Sequence, residues 1–194
     1  MDFSAGELSD YLSNSPLQKR VSFKFKDVIQ AANGTLSLKA AVSEESSYLY
    51  AALGDFLRYK MLASDSSFSF ETVFSHPSKI DELRTAREKG FIIYLYIIST
   101  DKPEINMERV KNRVEQGGHD VPEDKIRERY LRTMDNLFKA FLLAHRVYFF
   151  DNSSSADTET FQYFAEKKNG RLLMTGNSAP LWFKKSILSN LDDR

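Results

Sequence analysis

The hydrophobic pattern is most regular in the middle of the chain, where segments typical of strands and helices alternate. Aromatic and polar residues alternate over residues 68–73, which predicts a strand that ends at Glu71 and Thr72. Residues 91–98 are an uninterrupted run of β-branched, leucine and aromatic residues, the pattern of a strand buried on both faces of a parallel sheet. Residues 146–150 predict another buried strand.

Helical periodicity separates these predicted strands. Pro77 begins a helix that runs to about Lys89 and stops at Gly90. Pro103 begins a second helix and Pro122 a third, each with apolar residues every three or four positions. This order of elements implies right-handed crossovers between parallel strands. The sequence therefore predicts an α/β fold with a three-layer parallel sheet flanked by helices.

The flanking segments have less regular patterns. Residues 1–66 are predicted to be mainly helical, most clearly over residues 46–62. Residues 153–194 form a C-terminal extension whose aromatic patch around Trp182 is expected to return to the sheet. With a strand and helix core over residues 67–152, the chain is predicted to be one domain of 194 residues.

Composition narrows the classes of function. The 27 basic and 27 acidic residues balance, so no net field attracts nucleic acid or an anionic membrane, and an anion site must be built locally. The absence of cysteine removes disulfides, thiolate catalysis and the usual zinc cages, and three scattered histidines predict no metal site. No apolar run is long enough to span a bilayer and no signal peptide is recognisable, so we expect a soluble cytoplasmic protein.

A carboxylate and two arginines are the first candidates for chemistry. Glu71 ends a predicted strand, where ligands bind in parallel α/β sheets, and it either accepts hydrogen bonds from substrate hydroxyls or is simply solvated. Thr72 either donates to a phosphate or satisfies its own backbone. Arg109 and Arg113 are four residues apart on one side of a predicted helix, so their two guanidinium groups can bind the same anion.

The next predicted helix carries Arg127 and Arg129. Gly117 and Gly118 precede it and permit a tight reversal with positive φ, which would face the two arginine-bearing helices toward each other. His119 follows this turn and either contacts a phosphate or satisfies the backbone. The arrangement is that of a phosphate clamp.

Surface ion pairing is the alternative interpretation of these arginines. Eight acidic residues are interleaved with eight basic ones over residues 101–132. Exposed pairs of this kind are worth about 0–1 kcal/mol each. The residues alone leave a phosphate clamp and a solvated, ion-paired helical surface both open.

Three motifs in this region resemble a known family. They are Phe-Ser-Phe-Glu-Thr-Val-Phe-Ser-His at 68–76, Arg-Val-Lys-Asn-Arg-Val-x-x-Gly-Gly-His-Asp-Val-Pro-Glu-Asp-Lys-Ile-x-x-Arg-Tyr at 109–130, and Tyr-Phe-Phe-Asp-Asn-Ser at 148–153. Over roughly residues 45–155 the chain is similar to the zeta toxin family of bacterial P-loop kinases. The central motif is long, and it carries most of the resemblance.

The resemblance implies a P-loop kinase-like fold that uses ATP or GTP with Mg²⁺ and phosphorylates a small acceptor. The best-known members act on UDP-N-acetylglucosamine, so a UDP-amino sugar is one expected acceptor, bound by Glu71 and Thr72. One arginine of each helix is expected to bind nucleotide phosphates, and we assign catalysis to Arg113 and Arg129. The expected phosphate-binding set is Arg109, Arg113, Arg127, Arg129 and His119.

One part that the family requires has no counterpart in the sequence. No Gly-x-x-x-x-Gly-Lys-Ser/Thr loop occurs in the 194 residues, so the N-terminal phosphate-loop unit is missing. That loop positions the phosphates and Mg²⁺, and positioning is most of phosphoryl-transfer catalysis. We therefore expect these residues alone to be nearly inactive, with a gap in the sheet that the N-terminal segment or a second chain would fill.

Three functional hypotheses follow. The first is a kinase whose true start lies upstream of Met1, and the second is a degenerate, non-catalytic module that binds a nucleotide, a UDP-sugar or a protein. The third is an interaction module whose arginines only solvate a helical surface. The expected partners are a nucleotide and a small acceptor, with an antitoxin or a second copy of the chain as protein partners, and neither nucleic acid nor membrane.

Overall fold

The chain forms two compact units, Met1–Phe70 and Glu71–Arg194, each with its own buried core. The structure is a computed structural model, and it describes residues 3–32, 35–38, 45–64, 66–154, 161–176 and 178–192. Within these ranges no helix is long and apolar enough to cross a membrane. The single domain expected over residues 1–194 stays a prediction.

The N-terminal unit is built mainly from helices. Its elements are α1 (Ala5–Ser13), a 3₁₀ turn (Pro16–Arg20), α2 (Phe25–Val28), the antiparallel strands β1 (Ile29–Ala32) and β2 (Thr35–Leu38), and α3 (Ser46–Leu62). Ser4 caps α1 by accepting a hydrogen bond from the backbone N–H of Glu7 at 3.0 Å. Apolar stripes of α1 and α3 form the core with Phe25, and a 2.9 Å ion pair joins Glu7 to Lys60.

The C-terminal unit is a mixed sheet with helices. Its elements are α4 (Ser78–Glu88), β3 (Tyr94–Ser99), α5 (Pro103–Glu115), α6 (Glu123–Leu143), β4 (Arg146–Asp151), β5 (Gln162–Lys168), β6 (Arg171–Met174), α7 (Leu181–Phe183), a π-helical turn (Lys184–Leu188) and α8 (Ser189–Asp192). The strand order is β3-β4-β5-β6. Only β3 and β4 are parallel, and the other two pairs are antiparallel.

The α/β prediction is confirmed, but the prediction of a three-layer parallel sheet is wrong, because the four-stranded sheet is mixed and one of its faces is open. The chain returns after β4 as an antiparallel hairpin rather than through another helical crossover. Asn169 and Gly170 connect β5 to β6 with φ of 52° and 75°, the left-handed conformation that a two-residue hairpin turn needs. Asn-Gly between two apolar runs is a strong hairpin signal, and it identifies the correct topology of this segment.

The sheet buries one face and leaves the other open. Val147 and Phe149 of β4, Phe164 and Ala165 of β5, and Trp182 are all buried in the main core. On the opposite face of β3, Tyr94, Tyr96 and Ile98 are 53%, 66% and 47% exposed. The prediction that this strand is buried on both faces is therefore wrong. An uninterrupted apolar run shows that the side chains of a strand are hydrophobic, but it does not show whether a second layer of helices or strands covers them.

The strand predicted over residues 68–73 is also wrong. Residues 66–75 contain no strand in the structure. The carbonyl of Val73 accepts a hydrogen bond from Thr133 Oγ1 at 2.7 Å, and the carbonyl of Phe74 accepts one from Asn136 Nδ2 at 3.0 Å. Side chains of α6 thus bind backbone carbonyls that a neighbouring strand would have to pair, and Phe74 has φ of 61°, which is incompatible with a regular strand.

Two cationic side chains from other elements donate hydrogen bonds to the carbonyl groups at the C-terminal end of α6. Lys167 of β5 is only 9% exposed, and its Nζ donates to the carbonyls of Phe141 at 2.6 Å and Ala144 at 2.8 Å. Arg87 of α4 donates to the carbonyls of Leu142 and Leu143 at 3.2 Å and 2.8 Å. The last carbonyls of a helix have no partner within the helix, so these contacts join α4, α6 and β5. Burial, and next the charge of Arg87, lower the pKa of Lys167.

Replacing Lys167 by methionine is expected to destabilise the protein by about 2–3 kcal/mol, because buried helix carbonyls lose a charged donor. The measurement is urea unfolding followed by circular dichroism. Lys168→Met is the matched control, because the neighbouring Lys168 is exposed and should tolerate the change. Equal effects of the two substitutions would show that the buried contacts contribute nothing.

Candidate functional site

The carboxyl ends of β3 and β4 lie side by side and carry a cluster of polar groups. The parallel register pairs Ser99 with Asp151, so both strands end at the same edge. The Asn152 N–H donates to the Ser99 carbonyl at 2.8 Å, and the Asp101 N–H donates to Ser153 Oγ at 2.9 Å. These bonds hold the two strand-end loops together at the edge where parallel α/β sheets bind ligands.

Trp182 closes the inner side of this edge. The side chain of Asp101 accepts a hydrogen bond from the Trp182 backbone N–H at 2.9 Å, and Asp151 accepts one from Trp182 Nε1 at 3.0 Å. Ser153 Oγ also donates to Asp151 at 2.6 Å. The aromatic patch of the C-terminal extension therefore packs against the sheet, as predicted. Each carboxylate has at least one oxygen occupied by a structural bond.

The helices α5 and α6 form a hairpin that overhangs the same edge. Tyr130 donates from its hydroxyl to the carbonyl of buried Thr100 at 2.9 Å, which fixes α6 beside the end of β3. At a rise of about 1.5 Å per residue, the segment from Glu123 to Tyr130 extends about 10 Å past this anchor. The central motif of residues 109–130 thus forms the end of one helix, the turn and the start of the next.

The turn between the two helices is tight. Gly117 has φ of +85°, as predicted for one of the two glycines. At Gly118 φ is ordinary, but a Cβ would lie 2.5 Å from Arg113 Cγ and 2.8 Å from the Arg113 carbonyl oxygen. The chain therefore needs these glycines for two different reasons, a left-handed backbone and a close approach.

The two arginines of α5 have separate partners. Arg109 donates from Nη2 to the backbone carbonyl and to the Oδ1 of Asn152, at 2.8 Å and 3.0 Å, and so ties α5 to the end of β4. Arg113 is exposed and donates to the carbonyl of His119 at 2.9 Å, across the turn. The His119 side chain is exposed. The structure therefore places Arg109 at the polar edge and Arg113 at the tip of the hairpin.

The two arginines of α6 also differ from each other. Arg127 forms a 2.9 Å ion pair with Glu104 of α5, and both side chains are about half exposed. The pKa of Glu104 is lowered by a hydrogen bond from its own backbone N–H and, to a smaller extent, by Arg127. Arg129 is exposed and has no hydrogen bond or ion pair to its side chain within the described part of the chain. Of the four candidate arginines, Arg129 is thus the one that would give up no described side-chain partner to bind an external anion.

Glu71 and Thr72 lie outside this cluster of contacts. Thr72 Oγ1 accepts a hydrogen bond from the Phe74 backbone N–H at 3.2 Å, so this side chain satisfies its own backbone. Glu71 is exposed and does not end a strand, because no strand forms there. Among the described residues, no hydrogen bond or ion pair joins either side chain to the arginines of α5 and α6. Their assignment to an acceptor stays a prediction.

The side chains fit a phosphate better than a resident metal ion. In the described ranges, no three histidine, cysteine, aspartate or glutamate side chains are grouped to hold a metal. Asp101 and Asp151 are engaged with Trp182. By contrast, Arg113 and Arg129 are exposed at the overhanging hairpin, where bidentate bonds to phosphate oxygens require no burial of charge.

Three residues of this edge were not among the predicted site residues: Asp101, Tyr130 and Trp182. A usable signal was present, because polar residues directly follow both predicted strands and parallel strands end at a common edge. In the sequence, Tyr130 is recognisable only as the last residue of the motif of residues 109–130. Its hydroxyl bond to Thr100 depends on the helix register against the sheet, which spacing along one helix does not specify.

Comparisons with known proteins add little on identity. No family model matches the chain. A curated relative from Haemophilus influenzae, named "Uncharacterized protein", is 41% identical over 63 residues. That match covers 32% of this chain and 45% of the relative, so the chain spans less than half of that protein's length. No solved structure matches.

Replacing Gly118 by alanine is expected to cost about 1–3 kcal/mol, because the new Cβ would overlap the Arg113 carbonyl and force the turn to shift. Hydrogen exchange of the amides around the turn, together with urea unfolding, measures this effect. Gly176→Ala is the control, since a Cβ there has open space around it. An unchanged turn in the Gly118 variant would contradict the close approach.

The tyrosine at the edge predicts a dependence of stability on pH. Burial, and then the charges of Asp101 and Glu104, raise the pKa of Tyr130 to about 12. The folded protein keeps a proton that the unfolded chain loses near pH 10, so the contribution to stability is complete below about pH 10. It is lost as the pH rises from about 10 to about 12.

Unfolding of the wild type and of Tyr130→Phe, compared from about pH 8 to about pH 11, tests this effect. At the lower pH the variant should be about 1 kcal/mol less stable, through loss of the bond to Thr100. The difference should shrink as the pH rises. Tyr50→Phe, at an exposed position of α3, is the control. If the difference in stability between the wild type and Tyr130→Phe does not depend on pH, the raised pKa of Tyr130 is refuted.

Proposed function

We propose that this chain is a zeta-toxin-like kinase domain that holds nucleotide phosphates under the hairpin of α5 and α6. One observation carries the proposal: the motif of residues 109–130, which provides the family resemblance, forms a helical hairpin beyond the carboxyl edge of β3 and β4. A P-loop kinase-like fold, ATP or GTP as donor and a UDP-amino sugar as acceptor belong to the same proposal.

The arginines would have different tasks. Arg109 acts as a positioning residue, because its bonds to Asn152 hold α5 at the edge. Arg129 would bind a phosphate directly, since its side chain is exposed at the hairpin. Arg113 would join it by exchanging a neutral carbonyl partner for a charged phosphate oxygen, which forms a stronger hydrogen bond.

Arg127 is available at small cost. Its partner Glu104 is about half exposed, and such surface pairs are worth about 0–1 kcal/mol. A phosphate with two negative charges can therefore outcompete the carboxylate, especially at low ionic strength. The ion pair would act as a resting state that keeps the guanidinium near the edge until an anion arrives.

Phosphoryl transfer needs more than these side chains. The sequence contains no phosphate-binding loop, and such a loop supplies most of the positioning of donor phosphates and Mg²⁺. Within the proposal, Glu71 and Thr72 orient the acceptor hydroxyl, and His119 adds a phosphate contact at the turn. We expect the 194 residues to bind phosphates without transferring them at a measurable rate.

A degenerate, non-catalytic binding module is the second candidate. The 194 residues contain no phosphate-binding loop, so they can bind a phosphate without the groups that position it for transfer. Both candidates predict phosphate binding, and neither predicts measurable transfer by the 194 residues alone. Product detected by mass spectrometry after incubation with Mg-ATP and UDP-N-acetylglucosamine would therefore reject the non-catalytic module and establish the kinase.

Titration calorimetry with Mg-ATP at low and high salt tests the phosphate site. Weak binding that disappears at high salt is expected, and Arg113→Ala or Arg129→Ala should each weaken it by about tenfold, equivalent to about 1.4 kcal/mol. Arg84→Ala is the control, because Arg84 is also an exposed helical arginine, but it lies on α4 and pairs with Asp81. Absence of heat at high protein concentration, or equal binding by all variants, would reject the site.

A further inference from the structure

The outer edge of β3 is unpaired among the described strands, since β3 is the first strand of the sheet. The carbonyls of Ile93 and Ser99 accept hydrogen bonds from the β4 side, so odd-numbered residues direct their backbone groups toward β4. Backbone groups alternate in direction along a strand. The N–H and C=O groups of Tyr94, Tyr96 and Ile98 therefore point outward from the sheet.

Among the described residues, this edge has none of the features that usually prevent strand addition. Natural edge strands carry charged residues, proline or bulges, or are covered by other segments. β3 is Tyr-Leu-Tyr-Ile-Ile-Ser, without charge or proline. The register shift in the sheet lies between β4 and β5, at Phe149 and Phe150. β3 is thus uncharged and pairs with β4 without a bulge, and no described strand covers its outer edge.

The same three residues also carry exposed side chains on the open face. Tyr96 stacks on Tyr148 of β4, with ring centroids 4.9 Å apart and planes 14° apart, so the apolar surface continues from the edge onto the face. Tyr163 of β5 extends this surface. A partner strand would bind backbone groups at the edge and cover aromatic rings beside it.

We propose that a second copy of this chain occupies this edge, with its β3 antiparallel to the first. Tyr96 of each protomer lies on the two-fold axis, and Tyr94 lies opposite Ile98 of the partner subunit. This register joins outward-pointing backbone groups on both sides, and it keeps the covered faces of the two sheets on one side. The result is a continuous eight-stranded sheet across the two protomers. The proposal does not depend on the nucleotide site.

Charge favours a second copy over another partner. A strand that pairs with itself places residues opposite their own kind near the axis, where like charges would repel, and β3 has no charged residue. The formal net charge of the chain is zero, so two copies do not repel each other at long range. A strongly basic or acidic peptide would find no opposite charge on this strand. The cross-strand pair of tyrosine with isoleucine is of a favourable type.

The area of the contact predicts a weak dimer. An aromatic side chain buries about 150–250 Å² when fully covered, and about half of each exposed residue of β3 is accessible. Two tyrosines and one isoleucine exposed to this extent contribute at most roughly 300 Å² per protomer, compared with about 800 Å² in a standard interface. We therefore expect weak association, visible as a concentration-dependent equilibrium.

Sedimentation velocity of the full chain over a range of concentrations is the first test. A monomer–dimer equilibrium is expected, and Tyr96→Lys should abolish the dimer by placing two ammonium groups at the axis. Leu131→Lys is the matched control, because Leu131 is 55% exposed on α6 and should leave the dimer intact. A monomer at every concentration, or a dimer that Tyr96→Lys does not affect, overturns the proposal.

Cross-linking tests the register, because the natural chain has no cysteine. Opposed residues of a hydrogen-bonded antiparallel pair have Cα atoms about 5.5 Å apart, within the range of a disulfide. Tyr96→Cys should therefore form a covalent dimer with oxidised glutathione as oxidant, whereas Tyr94→Cys should not. The double variant Tyr94→Cys, Ile98→Cys should cross-link again. Cross-linking of Tyr94→Cys alone, without that of Tyr96→Cys, would refute this register.

Discussion

The C-terminal unit depends on how the final carbonyls of α6 are satisfied. A helix of 21 residues ends with carbonyls that it cannot bond itself, and the carbonyls bonded by Lys167 are buried, where water cannot replace the missing donor. Lys167 and Arg87 supply those donors from β5 and α4. Burial of an ammonium group is costly, but here the charged donor meets several helix carbonyls and the negative end of the helix dipole.

Fixing this end of α6 determines what the opposite end can do. The helix runs antiparallel to β4 and is much longer than the strand, so its N-terminal turns must extend beyond the sheet. Tyr130 and Arg109 are the points where the overhanging hairpin contacts the strand ends. Residues nearer the turn have few buried contacts. A rigid base with an overhanging, highly charged tip is suited to holding a ligand that arrives from solution.

The parts predictable from the sequence were those that local chemistry determines. Prolines, periodic apolar stripes and Gly90 located α4, α5 and α6, since each signal acts within a few residues. The open face of β3 was not predictable, because burial depends on layers contributed by distant segments. For the candidate site, the motif located the hairpin, whereas the distinct partners of Arg109, Arg113 and Arg127 follow from tertiary packing. Spacing on a helix places such residues on one side but does not say which neighbour each will find.

The position of the single tryptophan has an optical consequence. Trp182 is 1% exposed, and its indole N–H is bound to Asp151 at the end of β4. All tryptophan fluorescence of the molecule therefore originates beside the polar edge of the sheet. Its emission maximum and lifetime respond to the electric field and the hydration at that edge, so the protein contains its own reporter. An event that rearranges the strand-end loops can be followed optically without attaching a label.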